Sequence, residues 1–257
     1  MIAKNLIYDG TFDGFLSAVF YVFEHKLKQV CIQNEFTMQQ GLFSDNETIV
    51  TEEAKANRVW KGVKSKLSSK GSYQLYYAFL SEQIGVEDIL LDYMRYAFEK
   101  KSNADKDYSH PSVLKIAQLA KSVGREKHRM EAFVRFKLTK DDIYFASIEP
   151  DFNVLPLIEK HFKRRYADQK WVIYDIKRAY GLFYDLDHVE IINMDFPAGF
   201  DFTKTESEFF ATQEFEFQKL WQDYFKATNI ESRKNMKLHI RHVPKRYWKY
   251  LSEKQPN

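Results

Sequence analysis

Hydrophobic and polar positions set the first part of the chain to a helical rhythm. Residues 5 to 8 read as a short strand ending at Asp9-Gly10, after which Thr11 is placed to cap a helix running to about Lys28. Its apolar stripe is Phe12, Phe15, Leu16, Val19, Phe20 and Phe23, three or four residues apart. Residues 34 to 45 read as a loop and 47 to 51 as a strand. Residues 52 to 127 read as mostly helical, broken at Gly71, at Gly85 and over the polar stretch 101 to 110. Ser109-His110-Pro111 restarts a helix, because proline fits the first helical position.

From Met130 the period shortens to two. Met130, Ala132, Val134, Phe136 and Leu138 fall on one side and Arg129, Glu131, Phe133, Arg135 and Lys137 on the other, which predicts a strand. Asp141-Asp142 then supplies a hairpin turn and residues 143 to 148 the return strand. A helix is expected over 156 to 166, three strands over 171 to 176, 179 to 184 and 189 to 194, a long helix over 206 to 228, and a last helix from Pro244. The expected fold is α+β: a helical N-terminal half packed with a mostly antiparallel sheet of about five strands and with C-terminal helices. A single domain spans 1–257, and the weak subdivision it allows falls near 101–110.

Composition sharpens this reading. With 44% apolar residues, 22 Phe and 16 Tyr, the chain can bury an aromatic core and is not of disordered type. Cys31 is the only cysteine, so the chain alone forms no disulfide, Cys-based zinc site or Cys-ligated iron–sulfur cluster. With no basic-then-apolar leader at the N-terminus and no apolar run long enough to span a bilayer, a cytoplasmic location is expected.

The net charge of +3 conceals a segregation along the chain. Residues 121 to 180 carry a net +5, residues 181 to 225 a net −8, and residues 226 to 257 a net +7. Two basic blocks around an acidic one favour a polyanionic partner, since each neutralised phosphate releases counterions.

The candidate chemistry lies mostly in the basic blocks. Arg233, Lys234, Lys237, Arg241, Lys245, Arg246 and Lys249 interleave with Tyr247, Trp248 and Tyr250, so that cations can grip phosphates while rings stack on bases. The plainer reading is a terminal helix docking its rings on the core while its cations stay solvated. His161 and Arg165 share a helix face beside Phe162 and Tyr166, with Arg164 adjacent. His128, Arg129 and Arg135 sit at the passage into the strand expected from Met130, and Asp175, Lys177, Arg178 and Tyr180 crowd a strand end; each group could work as acid, base or anion clamp, or be a structural ion pair. Asp9 and Asp13 suit a helix start better than a metal, and His239 and His242 lack a third ligand nearby. No phosphate-binding loop, dinucleotide fingerprint, nucleophile elbow or zinc-protease motif is present.

Five segments together resemble a bacterial family of probable DNA-metabolism proteins. They are residues 8 to 15 (Tyr8-Asp9-Gly10-Thr11 through Phe15), residues 128 to 136, the run from Leu155 through His161-Phe162 to Arg165-Tyr166, residues 171 to 181 with Asp175, Arg178 and Tyr180-Gly181, and Asn229-Ile230 on to Pro244 through Leu251. The resemblance implies a role beside a radical-SAM protein that modifies or repairs DNA. It also implies that some relatives are fused to a uracil-DNA-glycosylase-like domain, and this chain is then expected to be the stand-alone form. Any iron–sulfur cluster and S-adenosylmethionine then belong to the partner, and no cofactor is expected in this chain.

The expected function is therefore a DNA-repair or DNA-modification component that binds DNA. Its nucleic-acid contacts are expected from Arg164, Arg165, Lys177, Arg178, Tyr180, Arg233, Lys237, Arg241, Lys245, Arg246, Tyr247 and Trp248. Two alternatives stand beside it. One is an enzyme acting on a nucleotide or DNA base, with His128, Arg129, Arg135, His161, Arg165 and Asp175 gathered in one pocket. The other is a protein-interaction scaffold with no affinity for DNA.

Overall fold

The computed structural model describes residues 4–36, 45–100, 104–197, 199–205, 208–228 and 236–254, with 225–228 in backbone only. The chain forms two compact units, residues 1–124 and 125–257.

The first unit holds a three-stranded, all-parallel sheet in the order β2-β1-β3, made of β1 (Lys4–Tyr8), β2 (Val30–Asn34) and β3 (Asp45–Thr48). Of the two strands expected in this half, β1 forms as read and β3 forms slightly earlier than 47 to 51, while β2, a short segment just after the first helix, was not anticipated. Helix α1 (Phe12–Glu24) begins as read, with the Thr11 side chain accepting from Gly14 N–H at 2.9 Å. It buries Phe15, Leu16, Ala18, Val19 and Val22. Asp9 serves the same turn, accepting from Thr11 N–H and Oγ1 and from Thr51 Oγ1, so its carboxylate is used structurally. Helices α2 (Glu53–Lys66), α3 (Ser69–Phe79) and α4 (Val86–Glu99) follow. The break between α2 and α3 is set by Ser68, which caps α3, while Gly71 lies inside it. Gly85 precedes α4 at φ 78°, a conformation that glycine adopts without strain.

Helix α5 (Pro111–Phe133) starts at the expected proline. It corrects the expectation of a strand from Met130, because the helix continues through Phe133 and only Lys137–Leu138 (β4) pairs as strand. Val123, Glu126, Met130 and Val134 recur at three- and four-residue steps and are buried together, a helical stripe that the short alternation disguised.

The second unit is built on a five-stranded sheet in the order β4-β5-β6-β7-β8, with β5 (Tyr144–Ile148), β6 (Trp171–Asp175), β7 (Tyr180–Tyr184) and β8 (Val189–Ile192). Three of its ladders are antiparallel, and β5 and β6 are parallel, joined through α6 (Leu155–Arg165). Every residue of β6 is buried, as befits the central strand. Trp171 and Ile173 lie on one face and Val172 and Tyr174 on the other, where they pack with Phe145 and Phe210. Helix α7 (Thr212–Thr228) begins later than expected, and residues 206 and 207 lie outside the described residues. Helix α8 (Met236–His242) was not anticipated, and the helix expected from Pro244 is instead two short 3-10 turns, Lys245–Tyr250 and Ser252–Lys254. No helix among the described residues is long and apolar enough to cross a membrane.

Candidate functional site

The parallel pair β5/β6 positions the site. Because both strands run the same way, the segment after β5, from Glu149 to Asp151, and the turn after β6, from Ile176 to Ala179, emerge at the same edge of the sheet. Open sheets bind ligands at such carboxyl ends. Asp175, the last residue of β6, is fully buried and organises this edge. Its Oδ1 accepts from the N–H groups of Lys177 at 3.0 Å and Arg178 at 3.3 Å, and its Oδ2 accepts from the Arg178 guanidinium at 2.8 Å. Burial raises the Asp175 carboxyl above its ordinary range against the opposing pull of Arg178.

Arg178 passes this order on to the neighbouring segment. Its guanidinium donates to the carbonyls of Pro150 and Asp151, each at 3.2 Å, and Lys177 Nζ donates to the Asp151 carbonyl at 3.3 Å. The Tyr180 hydroxyl donates to Asn153 Oδ1 at 2.6 Å.

From the other side the segment is held by Glu126 on α5, whose side chain is 1% exposed. Glu126 accepts from Asp151 N–H at 3.0 Å, from Arg246 Nη2 at 3.0 and 3.1 Å, from Arg129 Nη1 at 3.3 Å and from the Tyr247 hydroxyl. Arg246 lies over the Tyr247 ring at 4.7 Å and extends its other nitrogen, Nη1, to Asp151 Oδ2 at 2.7 Å. Lys249 pairs with Glu149 Oε2 at 2.5 Å, and the Tyr250 hydroxyl donates to the same oxygen at 2.7 Å. The Lys249 contact, with that of Tyr250 after it, holds the Glu149 carboxyl below its ordinary range.

Together these residues line an open groove of about 490 Å³, with Lys177, Lys245, Arg246 and Lys249 as cations and Glu149 and Asp151 as carboxylates. Lys245 also lies 6.0 Å over the Trp248 ring, whose indole N–H donates to the Val243 carbonyl. The groove thus carries more positive than negative side chains and is set on a rigid buried frame.

Several residues expected from sequence meet here: Lys177, Lys245 and Arg246 line the groove, Arg178 and Asp175 support it, and Arg129 reaches it through Glu126. Tyr247 was expected to stack on a base, but it is 2% exposed and packs on Phe133 at 5.7 Å, so its ring is structural. Other candidates lie elsewhere. Arg135 pairs with Glu253 at 2.9 Å, and His128 and His161 each lie 3.9 Å from Glu131. Arg164 and Arg165 are exposed on α6, with Arg165 over Tyr166, and Lys237 and Arg241 are exposed on α8. Arg233 falls outside the described residues. His239 stands 5.9 Å from the Trp248 ring, and among the described residues no cluster of three or more His, Cys, Asp or Glu side chains could hold a metal ion. None of the six proposed catalytic side chains lines the groove.

Sequence reasoning missed Glu126, Glu149 and Asp151. For Glu126 a signal existed: an acid in the apolar stripe of a helix, three residues after Val123 and four before Met130, needs buried partners.

Comparison with known proteins adds a family. No functionally curated protein matches the chain in sequence. Among solved structures, a pGpG-specific phosphodiesterase from Vibrio cholerae matches with a TM-score of 0.34 and 9% identity over 70% of this chain and 81% of that one. That similarity is too low to transfer a fold or a function. A family model described as a domain of unknown function, DUF4130, matches residues 85–253, which include all of the groove and its supporting frame. The chain belongs to the DUF4130 family.

Proposed function

We propose that the second unit binds nucleic acid along the groove formed by Lys177, Lys245, Arg246 and Lys249, and that the protein serves DNA repair or modification. The observation that carries this reading is the concentration of four cations in one open groove whose floor is fixed by the buried Asp175–Arg178 pair and by Glu126. Phosphates are recognised by such point charges and guanidinium groups, while a fixed floor reduces the ordering cost of binding. That none of His128, Arg135, His161 and Arg165 lines the groove favours binding over catalysis by this chain.

In this reading the chemical step belongs to a partner, and a radical-SAM enzyme supplying its own iron–sulfur cluster and S-adenosylmethionine is the partner we propose. Burial, then its contact with Asp88, pushes the Cys31 thiol up to about 12.

The test is fluorescence anisotropy of labelled single-stranded, duplex and mismatched DNA at low and moderate salt. Wild-type protein is compared with the triple variant Lys177→Ala, Lys245→Ala, Lys249→Ala. Salt-sensitive binding that is lost in the variant is expected; absence of binding to every DNA form at low salt overturns the reading.

A further inference from the structure

Two carboxylates in a groove otherwise built for anions need an explanation. Glu149 and Asp151 flank Pro150 on the groove floor, and each occupies a cation that would otherwise face a ligand: Glu149 holds Lys249 at 2.5 Å and Asp151 holds Arg246 Nη1 at 2.7 Å. Their settings differ from that of the third acid. Glu126 is 1% exposed and takes Arg246 from behind through Nη2, whereas the side chains of Glu149 and Asp151 are 41% and 52% exposed. Arg246 therefore has a fixed edge and an exchangeable edge.

Glu149 and Asp151 can turn away without disturbing the floor, because the floor is held by other bonds. The Asp151 N–H goes to Glu126, and the Pro150 and Asp151 carbonyls accept from Arg178 and Lys177. An incoming phosphate oxygen offers Arg246 and Lys249 what the carboxylates offer now, with more charge, while the displaced carboxylates swing into solvent. One phosphate monoester could replace only one carboxylate contact and gains little. A ligand with adjacent phosphates replaces both and also meets Lys177 and Lys245.

We propose that Glu149 and Asp151 are built-in competitors for phosphate, which set a threshold so that the groove accepts a ligand carrying several adjacent phosphates and rejects a single one. This deepens the nucleic-acid reading of the same groove and rests on it for the identity of the natural ligand.

The experiment titrates three probes into the full chain: labelled single-stranded DNA by anisotropy, and inorganic tripolyphosphate and inorganic phosphate by calorimetry. The variants are Glu149→Gln with Asp151→Asn, Asp151→Asn alone, and a control of equal charge change outside the groove, Asp187→Asn with Glu190→Gln. Asp151→Asn alone leaves the Glu149–Tyr250 hydrogen bond in place. Thermal melts confirm that each variant is folded.

The groove double variant is expected to bind DNA and tripolyphosphate at least about tenfold more tightly. Its plot of log affinity against log salt is expected to be steeper by about one to two units, because displaced carboxylates no longer recapture counterions. The control should shift affinity less than about twofold, and inorganic phosphate should not bind wild-type protein measurably.

Unchanged or weaker binding in both groove variants, an equal gain in the control, or inorganic phosphate binding wild type as well as tripolyphosphate does, overturns the proposal. If tripolyphosphate binding tightens while DNA binds nowhere, the threshold stands and the nucleic-acid reading falls. If DNA binds wild type and the variants alike, the nucleic-acid reading stands and the threshold falls. If no probe binds any variant, both fall.

Discussion

Replacing Glu126 should cost the second unit more stability than loss of one exposed ion pair, because its carboxylate satisfies donors from several segments. In Glu126→Ala the Asp151 N–H and the Tyr247 hydroxyl lose their acceptor, at about 1–3 kcal/mol for each buried donor. Arg246 and Arg129 are partly exposed and can be rehydrated, so they add less. A total of about 3–5 kcal/mol follows, the range for breaking a buried charge pair from one side. Glu126→Gln keeps one oxygen for Asp151 and Tyr247 but turns an amide N–H₂ toward the arginine donors, for about 2–3 kcal/mol. The assay is urea unfolding followed by tryptophan fluorescence, since Trp171, Trp221 and Trp248 all lie in the second unit. With a slope of roughly 1.5 kcal/mol per molar urea, the midpoint should fall by about 2–3 M for alanine and 1–2 M for glutamine. Shifts below roughly 0.3 M in both variants would refute the view that this carboxylate is the buried anchor of the groove.

Other predictions follow from the same frame. Asp175→Ala leaves the Arg178 guanidinium, 9% exposed, without its carboxylate, and should lower the urea midpoint by an amount equivalent to about 3–5 kcal/mol, with DNA binding weakened in the remaining folded protein. Glu253, 5% exposed, is held below its ordinary range: burial opposes this, but the hydrogen bond and charge of Arg135 outweigh burial. A depressed folded carboxyl contributes stability above its unfolded value near 4.5 that is lost as pH falls through the folded value. Thermal melts between pH 7 and pH 3 should therefore show wild type losing more melting temperature than Glu253→Gln; equal losses would contradict the assignment.

Much of the chain's local structure was legible in the sequence because it rests on local chemistry. Thr11 three residues before Gly14, proline at the start of α5 and the Asp141-Asp142 turn each act within a few residues, and all appear where the sequence placed them. Residues 171–192 also yielded three strands, as short apolar and aromatic runs separated by polar joints. The site was less legible because it depends on pairings that no local pattern encodes. Alternation over Met130 to Leu138 mimicked a strand and hid the last turn of α5, which buries Met130. The parallel register of β5 and β6, which brings Asp151 beside Arg178, is a tertiary fact. In the basic C-terminal segment charge alone does not decide between stacking and docking for Tyr247; it faces inward because its hydroxyl has a buried acceptor more than a hundred residues away. Lys245 and Arg246 were found from charge alone, whereas the acids that balance them, Glu149 and Asp151, lay in a segment with no distinguishing pattern.

The central claim is that the groove cations neutralise phosphates, and the salt dependence of DNA binding measures this most directly. For single-stranded DNA the slope of log affinity against log salt should be shallower by about 1.4 units in the Lys177→Ala, Lys245→Ala, Lys249→Ala variant than in wild type, at about 0.7 for each of Lys177 and Lys245, because the counterion freed at Lys249 is offset by the one that displaced Glu149 takes up. An unchanged slope in a folded variant would place the phosphates elsewhere and contradict the account.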